Sequence, residues 1–430
     1  MNKTGKLLIR GGHIICPVSG LNGITDILIE GSRISRIGKI DRIPKGCMVF
    51  DAEGFTVFPG FIDMHVHLRE PGREDEETIM SGCKAAAAGG FTAVCPMANT
   101  DPPTDDAGRV RNIIERSYGA SARVYPYGSV TKKLQGEEIA ELGDMAEAGA
   151  VGFSDDGNPL QTAALTECAL RYSAMFSKSI VVHEEDLSLS ADGQMHEGDV
   201  STILGLNGIP SMAEELPIMR DLEILRWLGK TNAKLHITHV STRRAVQLIR
   251  NAKKEGLRVT CDVTPHHLTL TDESLRTFNT NCKMKPPLRT KDDVEALMEG
   301  LKDTTIDAIA TDHAPHSLEE KEVEFTEAAF GIIGLQTAVG LVLELIHNEI
   351  IDLPILAKTM STSPATILGV DGGCIKEGGL ADLSILDISM KWTLTQENIL
   401  SLSTNTPFIG RTFTGGVRAT VLGGQLITTT

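Results

Sequence analysis

The sequence predicts an α/β protein in which a (β/α)8 barrel carries a small β-sandwich domain formed by both chain termini. Three observations support this fold class. Apolar strand-like segments alternate with amphipathic helical segments across the middle of the chain, and short strand-like runs with turn residues fill both ends. Eight strand–helix alternations favour a barrel over an open doubly wound sheet. No G-x-G-x-x-G follows the first central strand, which also disfavours a dinucleotide-binding fold.

The central strands are predicted from eight apolar segments. In chain order these are FIDMHVHL (61–68), FTAVCPMA (91–98), ARVYPYGSV (122–130), GAVGFSDD (149–156), SIVVHEED (179–186), LHITHVST (235–242), RVTCDVTPHH (258–267) and DAIATDHAP (307–315). Amphipathic stretches between them, such as 76–90 and 243–256, predict helices. We therefore assign residues 57–365 to the barrel.

Both ends of the chain read as short strands separated by turns. The segments are KLLIRGGHII (6–15), ITDILIEGSRISRIGKI (24–40) and VFDAEGFTVFPG (49–60), followed near the C terminus by ADLSILDI (381–388) and FIGRTFTGGVRATVLGGQLI (408–427). Each end is too small to bury a core of its own. We therefore predict that residues 1–56 and 366–430 combine into one composite β-sandwich.

The composition indicates an ordinary soluble protein. The chain has 430 residues, of which 41% are hydrophobic and 23% charged, and a formal net charge of −16, which disfavours binding to a phosphate backbone. No apolar run approaches the roughly 18–20 residues of a membrane span, and the N terminus lacks a signal-peptide pattern. Eight scattered cysteines without a C-x-x-C pair suit a reducing compartment. We expect a cytoplasmic protein with no nucleic-acid or membrane partner.

Residue types that bind metals recur at the carboxyl ends of the predicted strands. They are His65 and His67 on strand 1, Asp155 and Asp156 on strand 4, His183 on strand 5, His236 and His239 on strand 6, His266 and His267 on strand 7, and Asp312, His313 and His316 on strand 8. Each alone has a plain structural explanation, such as a turn aspartate or a hydrogen-bonded histidine. Because barrel sites form at this end of the strands, their joint occurrence favours a metal site.

The residues offer enough ligands for two metal ions. His65, His67 and Asp312 would form one site. His183 and His239 would form the second, and a carboxylate from strand 4 would bridge the two. Imidazole and carboxylate ligands without thiolate suit zinc, with other divalent transition ions as alternatives. Two ions that share a hydroxide predict hydrolysis at a carbonyl or phosphoryl centre.

The segments that contain these residues resemble the amidohydrolase superfamily, and closely resemble the class I dihydroorotase family. The matching segments are PGFIDMHVHLREPG, MANTDPPTDD, GFSDDG, VVHEED, ITHVS, KPPLR, TDHAPH, AFGIIGLQT, GGLADLSILD and STNTPFIGRTFTGGV. They extend from the first predicted barrel strand to the last strands of the tail. The resemblance implies a zinc-dependent cyclic amide hydrolase that interconverts N-carbamoyl-L-aspartate and L-dihydroorotate in pyrimidine biosynthesis.

The resemblance also implies the site residues. The zinc ligands would be His65, His67, Asp156, His183, His239 and Asp312, with Asp312 also the catalytic proton carrier. The bridging aspartate of the family lies 27 residues before the strand-5 histidine, which selects Asp156 over Asp155 because 183 − 156 = 27. Substrate contacts would come from His67, Leu68, Arg69, Asn99, Lys285, His316, Phe330 and Gly331. An arginine, an amide and an imidazole suit the carboxylate of such a substrate.

The cofactor and assembly follow from the same resemblance. We expect two zinc ions per subunit, with a single ion as the alternative. We also expect a homodimer, with aspartate transcarbamoylase as a candidate partner.

Three positions depart from the family pattern. Lys285 occupies the place of an asparagine that contacts substrate, Ala98 replaces the proline of Met-Pro-Asn-Thr, and Glu184 replaces the cysteine of His-Cys-Glu-Asp. None of these changes removes a metal ligand. Two roles are open for Lys285: a donor to a substrate oxygen, or a solvated loop lysine.

Two other functions are weighed against this one. Hydantoinases, dihydropyrimidinases and allantoinases share the general pattern, but they bridge their metals with a carboxylated lysine at the end of strand 4, where GAVGFSDDG has none. A catalytically inactive subunit that supports aspartate transcarbamoylase would lack metal ligands, and here none is missing.

Overall fold

The structure is a computed structural model, and it describes residues 5–428. Its N-terminal strands assemble around one long first strand. Five strands come first: β1 (Lys6–Cys16), β2 (Leu21–Glu30), β3 (Arg33–Ile37), β4 (Cys47–Asp51) and β5 (Thr56–Pro59). β1 pairs antiparallel with β2, and its other edge pairs in parallel with β4 and then β5. Gly12 allows this close approach, because a Cβ there would lie 2.7 Å from Val57 Cγ2.

The middle of the chain contributes ten strands. They are β6 (Phe61–Val66), β7 (Phe91–Pro96), β8 (Arg123–Val124), β9 (Gly152–Phe153), β10 (Ser179–Val182), β11 (Met195–His196), β12 (Gly208–Ile209), β13 (Leu235–Ile237), β14 (Val259–Val263) and β15 (Ala308–Ile309). Among the described residues, β11 and β12 form a separate two-stranded sheet, in a loop that the sequence pattern does not predict. The other eight correspond one to one, in order, to the eight predicted strands.

These eight strands form two parallel sheets that are linked at their edges. β6, β7 and β8 form the first sheet, and β9, β10, β13, β14 and β15 form the second. Single parallel bridges join Gly128 to Phe153 and Val66 to His313, one at each junction between the sheets. The predicted alternating α/β architecture is confirmed.

Within residues 5–428, thirteen α-helices connect or follow the strands. They are α1 (Ile79–Ala88), α2 (Ala107–Arg116), α3 (Leu142–Ala148), α4 (Ala163–Ala174), α5 (Leu187–Ser190), α6 (Asp199–Leu204), α7 (Met212–Leu228), α8 (Arg243–Lys254), α9 (Lys291–Lys302), α10 (Leu318–Lys321), α11 (Ala338–His347), α12 (Leu353–Ala357) and α13 (Ser363–Leu368). The predicted helices at 76–90 and 243–256 correspond to α1 and α8. Their first turns are capped by the side chains of Thr78 and Thr242.

The strands and helices share one large apolar core. Phe61, Phe91, Phe153 and Ile180 pack in it with helix residues such as Leu222, and all five are almost completely buried. Burying such side chains contributes about 1.5–3 kcal/mol each. Within residues 5–428, no helix combines the length and apolar character that a membrane crossing needs.

The last strands return to the N-terminal sheet. β16 (Leu383–Thr393), β17 (Thr412–Leu422) and β18 (Gln425–Thr428) complete one mixed eight-stranded sheet, because β16 pairs with β5. The termini therefore combine as predicted, but as one continuous sheet around a separate apolar cluster that includes Ile14 and Leu383. This mixed sheet with its own apolar cluster agrees in part with the predicted small sandwich.

Part of the segment between β16 and β17 leaves this sheet and contacts the central part of the chain. Ser401 Oγ and the Leu402 backbone N–H donate to the carboxylate of Glu77, which precedes α1. Asn405 Nδ2 donates to the carbonyl of Ala314, which follows β15. Part of the predicted terminal domain thus lies against the carboxyl ends of the central strands.

Candidate active site

The predicted metal ligands lie in or directly after the carboxyl ends of five central strands. His65 is the fifth residue of β6, and His67 comes directly after that strand. The others lie within three residues of a strand end: Asp156 after β9, His183 after β10, His239 after β13 and Asp312 after β15. All six side chains are buried. The carboxyl ends of parallel strands meet at one edge, so these side chains converge.

Four of these residues form a first group. His65 Nε2 and His67 Nε2 lie 3.2 Å and 3.1 Å from Asp312 Oδ1. Each of the two Nε2 atoms also lies 3.5 Å from Asp156 Oδ2. One ligand atom from each of His65, His67 and Asp312 falls within 4.8 Å of the others. This geometry suits a single small cation held by two imidazoles and a carboxylate.

The remaining two histidines form a second group on the other side of Asp156. His183 Nδ1 lies 3.0 Å from His239 Nε2. Both nitrogens lie 3.7 Å from Asp156 Oδ1. The two oxygens of the Asp156 carboxylate therefore face two different histidine pairs.

Asp155, the neighbour of Asp156, serves a different purpose. Its carboxylate accepts hydrogen bonds from the backbone N–H groups of Val130 and Thr131, at 2.7 Å and 3.1 Å, and from the Thr131 hydroxyl. These contacts join the end of β9 to the loop after β8. The carboxylate is fully used in holding this loop, so its position favours Asp156 as the bridging residue.

Hydrogen bonds fix the ring orientation of three histidines. His65 Nδ1 donates to Thr238 Oγ1 at 2.7 Å, and His67 Nδ1 donates to Asn99 Oδ1 at 3.0 Å. His183 Nε2 donates to Glu185 Oε2 at 3.1 Å. In each ring the other nitrogen points to the Asp156 carboxylate. Such outer hydrogen bonds orient ligand histidines in metal sites.

The cluster has the charge of a cation site. Burial opposes the charged form of His65, but Asp156 and Asp312 outweigh burial and raise the pKa of this histidine to about 10. Burial likewise opposes ionisation of Asp312, yet His65 and His67 hold the pKa of its carboxyl below the usual value. In the described part of the chain, His65 Nε2 and Asp156 Oδ1 make no hydrogen bond although both atoms are buried. The donor set therefore fits a divalent metal such as zinc.

Backbone strain coincides with this cluster. Arg69, His239 and Asp312 adopt left-handed φ angles of 58°, 36° and 47°. Such conformations cost roughly 1–3 kcal/mol each for residues other than glycine, and they persist where the surrounding contacts require them. Here they turn the chain sharply at the strand ends.

A basic rim lies beside the first group. Arg69 Nε donates to the carbonyl of Pro315 at 3.0 Å and is 3.0 Å from Glu76 Oε2. Arg69 Nη2 is 3.3 Å from His316 Nε2. His316 Nδ1 donates to Glu320 Oε2 at 2.7 Å. The predicted substrate residues Arg69 and His316 are thus adjacent and held in place by acidic neighbours.

Of the other predicted substrate residues, two adjoin the rim through their backbone, and two have side chains that contact other parts of the protein. The carbonyl of Phe330 lies 2.9 Å from His316 Nε2, and a Cβ on Gly331 would lie 2.6 Å from His316 Cδ2, so both backbone positions adjoin the rim. Leu68 packs its side chain in the large core. Asn99 uses its amide on His67 and on the carbonyl of Asp156.

Lys285 forms an ion pair with Glu185, the hydrogen-bond partner of His183 in the second group. Its Nζ lies 2.7 Å from Glu185 Oε1 and 5.5 Å from the centre of the Phe330 ring. Burial raises the pKa of Glu185, but His183 and Lys285 outweigh this effect and lower the pKa to about 2.

Several strand-end histidines have other partners. His236 Nε2 donates to Asp262 Oδ2 at 2.9 Å, and His267 Nε2 donates to the carbonyl of Pro286 at 2.9 Å. His313 Nε2 donates to Glu77 Oε2 at 3.2 Å. All three histidines therefore make structural hydrogen bonds. This is the structural explanation that applies to a strand-end histidine taken alone.

Two supporting residues were not identified from the sequence. Asp262 Oδ1 accepts from the backbone N–H of His239 at 2.7 Å, and its Oδ2 accepts from Thr238 Oγ1 at 3.1 Å. Thr238 in turn holds His65. The one available signal was an aspartate inside the apolar segment RVTCDVTPHH. A buried carboxylate needs such partners, so this position marks a polar network.

The architecture matches solved structures of hydantoinase type. L-hydantoinase (dihydropyrimidinase) from Arthrobacter aurescens aligns with a TM-score of 0.88 and 24% identity, covering 98% of this chain and 96% of that chain. Dihydropyrimidinase from Brevibacillus agri aligns with a TM-score of 0.85 and 22% identity, covering 98% and 95%. At these identities the likeness shows the fold alone. The fold is that of these hydantoinase-type structures, and in this chain it brings a histidine–aspartate cluster together at its strand ends.

Sequence relatives define the family. A family model described as dihydro-orotase-like matches residues 54–245. The chain is 46% identical to dihydroorotase from Geobacter metallireducens over 422 residues, covering 98% of this chain and 99% of the relative. It is 45% identical to dihydroorotase from Syntrophus aciditrophicus over 424 residues, with the same coverage. The chain belongs to the dihydroorotase family, which confirms the resemblance inferred from its motifs.

Proposed function

We propose that this protein is a dihydroorotase, which interconverts N-carbamoyl-L-aspartate and L-dihydroorotate in pyrimidine biosynthesis. One observation carries the proposal beyond family membership. The Asp156 carboxylate directs one oxygen to His65 and His67, and the other to His183 and His239. This geometry supports two metal ions bridged by an aspartate, in place of the lysine that the hydantoinase alternative requires. Six ligand positions are filled, which also disfavours an inactive subunit.

In this proposal His65, His67 and Asp312 would hold one zinc ion, His183 and His239 would hold the other, and Asp156 would contribute a carboxylate oxygen to each. Zinc bound there activates water at neutral pH and polarises an amide carbonyl.

Asp312 carries the proton in both directions. In ring opening, water adds to the ring carbonyl and Asp312 accepts its proton. The C–N bond of the ring then breaks, and Asp312 delivers the proton to the departing nitrogen. Ring closure is the reverse, so one carboxylate acts as base and acid.

Recognition of the substrate carboxylate falls to the rim. The guanidinium of Arg69 and the imidazole of His316 are adjacent, and the Phe330–Gly331 backbone borders them. The carboxylate of either substrate can accept hydrogen bonds from these groups in a fixed orientation. Asn99, Leu68 and His67 complete this side of the site, Leu68 through its backbone.

The wider assembly belongs to the same proposal. The two bridged sheets would act as one closed (β/α)8 barrel from 57 to 365, with 1–56 and 366–430 as the second domain. We further propose a cytoplasmic homodimer with two zinc ions per subunit, and aspartate transcarbamoylase as a candidate partner.

The deciding experiment compares candidate substrates directly. Purified protein is assayed on L-dihydroorotate, N-carbamoyl-L-aspartate, hydantoin and allantoin, and its zinc content is measured in the same samples. We expect turnover of the first two only. A chelator should remove activity, and added zinc should restore it. Faster turnover of hydantoin or allantoin, or no turnover of dihydroorotate by zinc-loaded protein, would contradict the proposal.

Replacing Arg69 by lysine tests the recognition of the carboxylate. Arg69→Lys keeps the charge but loses the forked geometry of the guanidinium. Since hydrogen bonds to charged groups contribute about 1.5–3 kcal/mol, we expect kcat/KM to fall roughly 10- to 100-fold with zinc content unchanged. Arg116→Lys is the matched control, because Arg116 pairs with Glu70 at a more exposed position. Normal kinetics for Arg69→Lys would exclude this role.

A further inference from the structure

Lys285 is connected to the second histidine group through a single side chain. Its ammonium lies 2.7 Å from Glu185 Oε1. The other oxygen of the same carboxylate, Oε2, accepts the hydrogen bond from His183 Nε2 at 3.1 Å. Glu185 thus stands between Lys285 and His183 and contacts each with a different oxygen.

The ion pair between Lys285 and Glu185 is stronger than an ordinary surface ion pair because both side chains are largely buried. The Glu185 side chain is only 7% exposed and that of Lys285 28%. Charges that are mostly removed from water attract each other more strongly and are screened less by salt. A buried carboxylate without a cation would also carry an uncompensated desolvation penalty. Lys285 therefore holds the buried Glu185 carboxylate in place against His183.

The charged acceptor determines what His183 presents to the site. Because Nε2–H is bound to Glu185, the lone pair lies on Nδ1, which is 3.0 Å from His239 Nε2 and 3.7 Å from Asp156 Oδ1. A carboxylate at the outer nitrogen of a ligand histidine fixes the ring and increases its basicity. The asparagine that the family pattern places at position 285 carries no charge, so it could not neutralise Glu185 in this way.

The same contact competes with a direct role in substrate binding. The ammonium is already paired with Glu185, and a substrate oxygen would have to share or break this pair. We propose that Lys285 is a positioning residue that acts on the metal ligand His183 through Glu185, rather than a direct substrate contact. The proposal rests on the proposed function in so far as His183 is a ligand of the second zinc.

Zinc affinity measured without turnover tests the proposal. Competition with a chromophoric chelator gives the affinity of each zinc in the parent, Lys285→Met, Lys285→Arg, Lys285→Asn and Glu185→Gln. We expect Lys285→Met to weaken one of the two zinc ions about tenfold, as for other residues that support a ligand histidine. Lys285→Arg should preserve affinity, because it can still pair with Glu185. Lys285→Asn should behave like Lys285→Met. Lys6→Met is the control, since Lys6 forms a comparable 2.6 Å pair with Glu30 in the terminal sheet.

A double variant shows whether the effect passes through Glu185. In the Glu185→Gln background, Lys285→Met should cause no further loss of zinc affinity. Steady-state kinetics at saturating zinc should then show KM for dihydroorotate close to that of the parent. Equal zinc affinity in the parent and Lys285→Met, additive losses in the double variant, or a raised KM with zinc intact would each overturn the proposal.

The result can be separated from the fate of the proposed function. A parent that binds two zinc ions but does not turn over dihydroorotate would refute the function, while the zinc titrations of the variants would still decide the role of Lys285. An active parent whose zinc affinity does not depend on Lys285 would refute only the inference.

Discussion

We expect Asp312→Asn to abolish turnover while most of the zinc remains bound. Asp312 Oδ1 lies 3.1 Å from His67 Nε2 and 3.2 Å from His65 Nε2, close to where the first metal would be held. Asparagine keeps an oxygen in this place and nearly the same shape. It cannot accept a proton at neutral pH, however, so both halves of the proposed proton transfer fail. General acid–base catalysis contributes about 10²- to 10⁴-fold, and we expect kcat to fall about 10³-fold.

The measurement pairs single-turnover rates with zinc analysis of the same preparation. His65→Asn is a useful comparison, because it removes a proposed ligand that has no proposed substrate contact and should reduce activity in proportion to lost metal. If Asp312→Asn loses activity only in that same proportion, Asp312 is a ligand and not the proton carrier.

The second large effect concerns the two adjacent aspartates. Asp156→Ala should lose at least one zinc ion and nearly all activity, because its carboxylate alone faces both histidine pairs. Asp155→Ala should keep two zinc ions. It should instead unfold more easily, because the backbone N–H groups of Val130 and Thr131 lose a buried acceptor. We expect a loss of about 2–4 kcal/mol in the free energy of unfolding.

Zinc stoichiometry and urea unfolding of both variants check this contrast. Metal-free parent is also reconstituted with and without bicarbonate, since a carboxylated lysine would need it. An aspartate is an anionic ligand at neutral pH without any modification. Equal zinc uptake in both conditions is expected. A strict bicarbonate requirement, or loss of zinc from Asp155→Ala alone, would disprove the assignment of Asp156.

The order of the central strands was predictable because it depends on local patterns. Each apolar segment is long enough to be read as a strand, and the residues after it are polar. The helices at 76–90 and 243–256 carry threonine caps directly before their first turns. The form of the terminal sheet was not predictable in this way. It depends on β5 pairing with β16, more than 300 residues away in the chain, and no local pattern specifies such a partner.

The sequence by itself determined which residue types lie at the strand ends and to which family the chain belongs. His65, His67, His183, His239 and Asp312 were identified because strand ends share one edge of the fold. Only the tertiary structure decided what surrounds them. Thr238 meets His65 across 173 positions in the chain, and Lys285 meets Glu185 across 100 positions, between loops that follow different strands. These contacts arise when strands and loops pack together. Their geometry depends on side-chain direction in three dimensions, about which sequence spacing carries no information.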